Sequence, residues 1–101
     1  MDMARKNTQA LIWFGQNEAN QSRFSSKVYL IGVRGADLYA RWGSADLRGR
    51  KVQPRWLQSR SWRYPTNAAA IAALKDIVDS KLVKGYERAP RGVATGLTAL
   101  L

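Results

Sequence analysis

Apolar positions recur along this chain in short dense runs and then in a helical stripe, and the elements follow from those periods. ALIWF (10–14), closed by Gly15, is too short for a stable helix and predicts a strand. KVYLIGV (27–33) is β-branched and aromatic, and its apolar density predicts a strand buried on much of both faces. RGAD (34–37) reads as a turn. DLYARWG (37–43) returns as the second arm of a hairpin, with Leu38, Ala40 and Trp42 alternating against Tyr39 and Arg41. The polar stretch GQNEANQSRFSS (15–26) connects the first two strands, and SADLRGR (44–50) is a loop.

KVQPRWLQSRSWRY (51–64) is half apolar and half cationic. Taken as one extended stretch, a period of two sets Val52, Pro54, Trp56, Trp62 and Tyr64 on one face and Lys51, Arg55 and Arg63 on the other. Pro54 has no N–H for a ladder, so the segment is an edge strand or one broken by a bulge. PTNAAAIAALKDIVDSKLVKG (65–85) predicts a helix. Thr66 or Asn67 caps its start, Gly85 ends it, and Lys81 and Lys84 occupy its last turn. Ala70, Ile71, Leu74, Ile77, Val78 and Leu82 form the stripe that covers the sheet. Strands first and a helix last give an α+β fold, an antiparallel β-sheet with one helix packed across it. Residues 1–9 are expected as a flexible N-terminus, 10–86 as a single domain and 87–101 as a disordered C-terminal tail.

Charge changes the picture more than composition does. Among 101 residues, 17 Lys and Arg face 7 Asp and Glu, for a net charge of +10. Such a field attracts polyanions, so nucleic acid or an acidic protein is the expected partner. The cations crowd between positions 41 and 63, where Arg41, Arg48, Arg50, Lys51, Arg55, Arg60 and Arg63 meet a single acid, Asp46. Arginine predominates there, which suits forked hydrogen bonding to phosphate and stacking on rings.

Other chemistry is poorly provided for. The sequence has no Cys and no His, which removes disulfides, thiolate metal sites and the commonest general base. Asp76 and Asp79 lie three apart on the predicted helix beside Lys75 and read as a solvated face. No metal site, cofactor or enzymatic activity is expected. Nothing approaches 18 consecutive apolar residues and no segment is a basic amphipathic helix, so no membrane partner is expected. The N-terminus lacks a cleavage signal, and the expected location is cytoplasmic.

An aromatic strand, then RWG (Arg41, Trp42, Gly43), a glycine-bearing loop, an Ala-rich helix and a closing KGY (Lys84, Gly85, Tyr86) together resemble the WGR domain. That module occurs in DNA-dependent poly(ADP-ribose) polymerases and in small bacterial proteins. The similarity covers roughly residues 18 to 87 in the expected order. It implies a twisted antiparallel sheet with one helix, DNA binding, and a Trp42 that stacks on a sugar at a DNA end. Ser44 departs from the family signature, which has Arg there. In the polymerases that Arg links the domain to its neighbours, so no interdomain role is implied here. The segment from Gly49 to the helix is also longer, with Trp and Arg residues of its own. A chain of this length has no room for a transferase domain, and ADP-ribosyl transfer is not expected.

The expected function is therefore a non-catalytic nucleic-acid-binding module, for duplex DNA or its ends. Its contact residues are Arg41, Trp42, Gly43, Arg48, Arg50, Lys51, Arg55, Arg60 and Arg63. The alternative is an adaptor that docks an acidic protein partner, and a third reading is an RNA binder. No predicted helix has a cationic face suited to the major groove, so base-edge reading is not expected. Trp42 also has a competing place in the core, since it shares the phase of Leu38. Trp13 is assigned to the core; Trp56 and Trp62 are also placed there, with an exposed position beside the helix open to one of them.

Overall fold

The two densest apolar runs become the central strands of a five-stranded antiparallel sheet. The computed structural model describes residues 7–15, 25–45 and 52–101. Its elements are β1 (Thr8–Gly15), β2 (Ser25–Arg34), β3 (Asp37–Ala45), a 3-10 turn (Pro54–Trp56), β4 (Leu57–Arg63), α1 (Asn67–Val83), β5 (Glu87–Arg88) and α2 (Arg91–Thr98). The strand order is β4-β3-β2-β1-β5, so β4 is an edge strand, and Pro54 lies before it in the 3-10 turn.

Both faces of the sheet are covered. On one, Leu11, Tyr29, Ile31, Val33, Leu38 and Ala40 pack under Ala70, Leu74 and Val78 of α1. On the other, Ala10, Ile12, Val28, Leu30 and Ala45 pack under Leu97 of α2. Burial on both sides is why β1 and β2 read as unbroken apolar runs instead of alternating ones.

The second cover corrects the expectation of one helix and a disordered tail. Residues 87–101 form β5 and α2, with β5 pairing Leu11 and Ile12 of β1. The segment RGVATGLT carries two glycines and little intrinsic helicity, so nothing local announces a helix. It is helical because Val93, Ala94, Leu97, Leu100 and Leu101 reach the apolar face of the sheet. The N-terminal boundary also shifts, since Thr8 and Gln9 already belong to β1 and pair with Gly32 and Ile31.

The ends of α1 fix its position over the sheet. Thr66 Oγ1 accepts from the Ala69 N–H at 3.0 Å, and Asn67 Nδ2 donates to the Gly35 carbonyl of the β2–β3 turn at 2.6 Å. Gly35 takes φ 61° in that two-residue turn. At the other end, Gly85 at φ 106° donates to Leu82 O, and the Tyr86 N–H reaches back to Lys81 O, both at 3.1 Å. This is a Schellman ending, and it swings Tyr86 back against the sheet.

The segment 51–64 does not run as one extended strand. The 3-10 turn at Pro54–Trp56 breaks the period, so Trp56 leaves the face of Trp62 and, of the two, is the exposed one at 36%. Val52 packs on the α2 side, while Trp62 and Tyr64 pack on the α1 side. Ser44 and Ala45 extend β3 beyond the expected strand end.

Candidate nucleic-acid interface

The residues of the RWG triplet divide between the two faces of the sheet. Arg41 points to the α2 side, where Nη1 donates to the Leu100 carbonyl at 2.8 Å and Nη2 to the Pro54 carbonyl at 3.1 Å. Its Nε is buried without a hydrogen-bond partner. Arg41 thus ties the chain end after α2 and the 3-10 turn to β3. Where a phosphate contact is expected from the sequence, the guanidinium donates to two carbonyls that carry partial negative charge. Replacing Arg41 with alanine leaves those acceptors unmade and is expected to cost about 1–3 kcal/mol in a thermal melt. The salt dependence of nucleic-acid binding should stay as it was.

Gly43 is a packing position. A Cβ there would overlap the Trp56 carbonyl oxygen and lie 3.2 Å from Leu57 Cα. The missing side chain lets the 3-10 turn and the start of β4 close against β3.

Trp42 points to the α1 side and is half-buried. It lies flat against Tyr29, its register partner on β2, with ring centroids 5.8 Å apart and 19° between planes. Tyr86 meets Tyr29 edge-on at 6.5 Å. The Lys81 ammonium sits 4.5 Å from the Tyr29 ring centre and 5.7 Å from that of Tyr86. One row further along the strands, Lys27 is exposed and stands 5.3 Å from the ring centre of its β1 partner Trp13. Trp13, placed in the core from sequence, is half-buried at this rim. Around the C-terminal end of α1, Trp13, Trp42 and Tyr86 thus gather about the buried Tyr29, with two ammonium groups set against the rings.

The remaining candidates scatter. Arg60, paired with Ala40 on β3, is exposed on the α1 side with its guanidinium 5.2 Å from the Trp62 ring centre. Arg63 projects on the other side and forms a two-pronged bridge to Asp37, Nε–Oδ1 2.9 Å and Nη2–Oδ2 3.2 Å. Those hydrogen bonds hold the Asp37 carboxyl below the usual carboxylate range. Arg55 is exposed on the 3-10 turn. Arg48, Arg50 and Lys51 lie outside the described residues. Among the described residues, the cations of that stretch do not converge on one surface. Arg60 shares the α1 side of the sheet with Lys27 and Lys81, two residues outside that stretch.

No protein-family model, curated protein or solved structure matches the chain. The RWG and KGY segments are accordingly read by what they build here, a Tyr29-centred cluster joined by Trp42 from one and Tyr86 from the other. Burial raises the Tyr29 hydroxyl above its ordinary value, with the neighbouring Tyr86 pushing the same way, and burial raises Tyr86 too. Burial also lowers the Lys81 ammonium, assisted by Lys84. The two ring faces offset part of the cost of holding that charge.

Among the described residues, Arg63–Asp37 is the one ion pair, so no described carboxylate pairs with Lys27, Arg60, Lys81 or Lys84. Sequence reasoning missed Lys27, Tyr29, Lys81 and Tyr86. The signal for the last two is the Schellman spacing around Gly85, which brings positions 81 and 86 together. The signal for the first two is their shared strand phase.

Among the described residues, no helix is long and apolar enough to cross a membrane, and no three His, Cys, Asp or Glu side chains cluster to hold a metal ion.

Proposed function

We propose that this protein is a non-catalytic nucleic-acid-binding module that takes duplex DNA on the α1 side of its sheet. The observation that carries the reading is the set of cations on one face, Lys27, Arg60 and Lys81, each held against an aromatic ring and none paired with a described carboxylate. Phosphates would neutralise the cations and supply most of the affinity. Trp13, Trp42 and Tyr86, each partly exposed, offer apolar and stacking contact to sugars or terminal bases, at about 1–3 kcal/mol per stacked base. The net charge of +10 and the resemblance of the RWG and KGY segments to the WGR module favour the same partner.

Fluorescence anisotropy of a short labelled duplex, titrated across salt concentrations, tests this. Binding should be tight at low salt, with log K falling linearly as log salt rises. The Lys27→Ala/Arg60→Ala pair should weaken binding to any sequence alike and reduce the slope by about two. Undetectable binding at low salt, or an unchanged slope in a folded double variant, would overturn the assignment. Preference for an acidic protein after nuclease treatment would transfer the surface to an adaptor role.

A further inference from the structure

The sheet has one long open edge. β4 is the terminal strand, and Ser59, Arg60 and Ser61 along it are exposed. The Tyr64 N–H donates to the Ala36 carbonyl at 2.9 Å, which sets the alternation of the β3–β4 ladder. Gln58, Arg60 and Trp62 therefore direct their backbone groups inward to β3, while Ser59, Ser61 and Arg63 direct theirs away from the sheet. Within β4 there is no proline, and no described element lies beyond it. The opposite edge, β5, is two residues long and runs into Pro90. Natural edges of this length are normally blunted or paired.

We infer that β4 pairs with β4 of a second copy of this chain, antiparallel and centred on Ser61. The side chains select that register. Centring on Arg60 sets two Arg60 side chains directly opposite one another, an unfavourable like-charge pair, and centring on Ser59 leaves Trp62 and Arg63 facing the 3-10 turn with no strand partner. Centring on Ser61 sets Arg60 opposite Trp62 of the partner subunit, and the same contact recurs across the two-fold axis. That repeats between copies the guanidinium–indole contact that Arg60 and Trp62 already make within one chain at 5.2 Å. The outward groups of Ser59, Ser61 and Arg63 are then bonded, and the two sheets join with their α1 faces on the same side. Each copy carries +10, so the copies repel and salt should strengthen the dimer, opposite in sign to nucleic-acid binding. The inference stands independently of the nucleic-acid reading.

Single-cysteine variants decide it, because the chain has no cysteine of its own. A bonded antiparallel pair places Cα atoms about 5.5 Å apart, within reach of a disulfide. Ser61→Cys should therefore cross-link to a dimer on mild oxidation. Ser59→Cys should not, since its counterpart lies four residues out of register, roughly 14 Å away. In sedimentation equilibrium the wild-type mass should rise with concentration and with salt. Ser61→Pro, which removes an outward N–H, should remain folded and monomeric. A wild type that stays monomeric up to about millimolar concentration overturns the inference. So do equal cross-linking of both cysteine variants, a dimer that survives Ser61→Pro, and occupation of the edge by an acidic peptide while the protein alone stays monomeric.

Discussion

Replacing Trp42 with alanine is expected to lower the stability of the protein by about 3 kcal/mol, the lower end of the range for removing a large buried aromatic. The indole is half-buried, which keeps the cost from the top of that range, but its flat contact with Tyr29 places it in the packing under α1. Its loss opens a space beside Tyr29 and exposes the ring that Tyr86 and Lys81 are set against. Urea unfolding followed by far-ultraviolet circular dichroism reads the effect without relying on the deleted fluorophore. Trp42→Phe keeps a ring over Tyr29 and should recover most of the loss. An unchanged midpoint for the alanine variant would show that the stacking contributes nothing to the fold.

Gly43→Ala is expected to cost about 2–3 kcal/mol, at the upper end for inserting atoms into filled space. The added carbon would overlap the Trp56 carbonyl oxygen, which is backbone and cannot rotate away, and it meets Leu57 Cα at 3.2 Å. The 3-10 turn must then move outward and carry the start of β4 with it. Gly92 offers the contrast, because a Cβ there meets nothing within 4 Å. Gly92→Ala should leave the melting temperature unchanged or raise it, since it replaces a helical glycine at an open site. Equal melting temperatures for the two alanine variants would remove the steric account of Gly43.

Local pattern was sufficient for much of the architecture, because the information lay in short periods and caps. The apolar runs of β1 and β2, the hairpin turn at Gly35 and the Thr66 and Gly85 ends of α1 all follow from a few neighbouring residues. The excess of cations is likewise a property of composition. The candidate site was less legible. Arg41 and Trp42 adjoin in sequence, yet one ties down the chain end after α2 and the other packs under α1, because successive strand residues face opposite ways.

By itself, then, the sequence determined an α+β fold, an irregularity at Pro54, a helix within 65–85 and an excess of cations. Tertiary structure alone decided that the last fifteen residues are ordered, since α2 is stabilised by the apolar face it covers and not by its own propensity. It also decided which cations remain available. Among the described residues, Arg41 bonds the Leu100 and Pro54 carbonyls and Arg63 bonds Asp37, whereas Lys27, Arg60 and Lys81 are set against rings. A charge is fixed by its residue type, but its partner comes from distant parts of the chain. Those distances are set only when the sheet and both helices have packed.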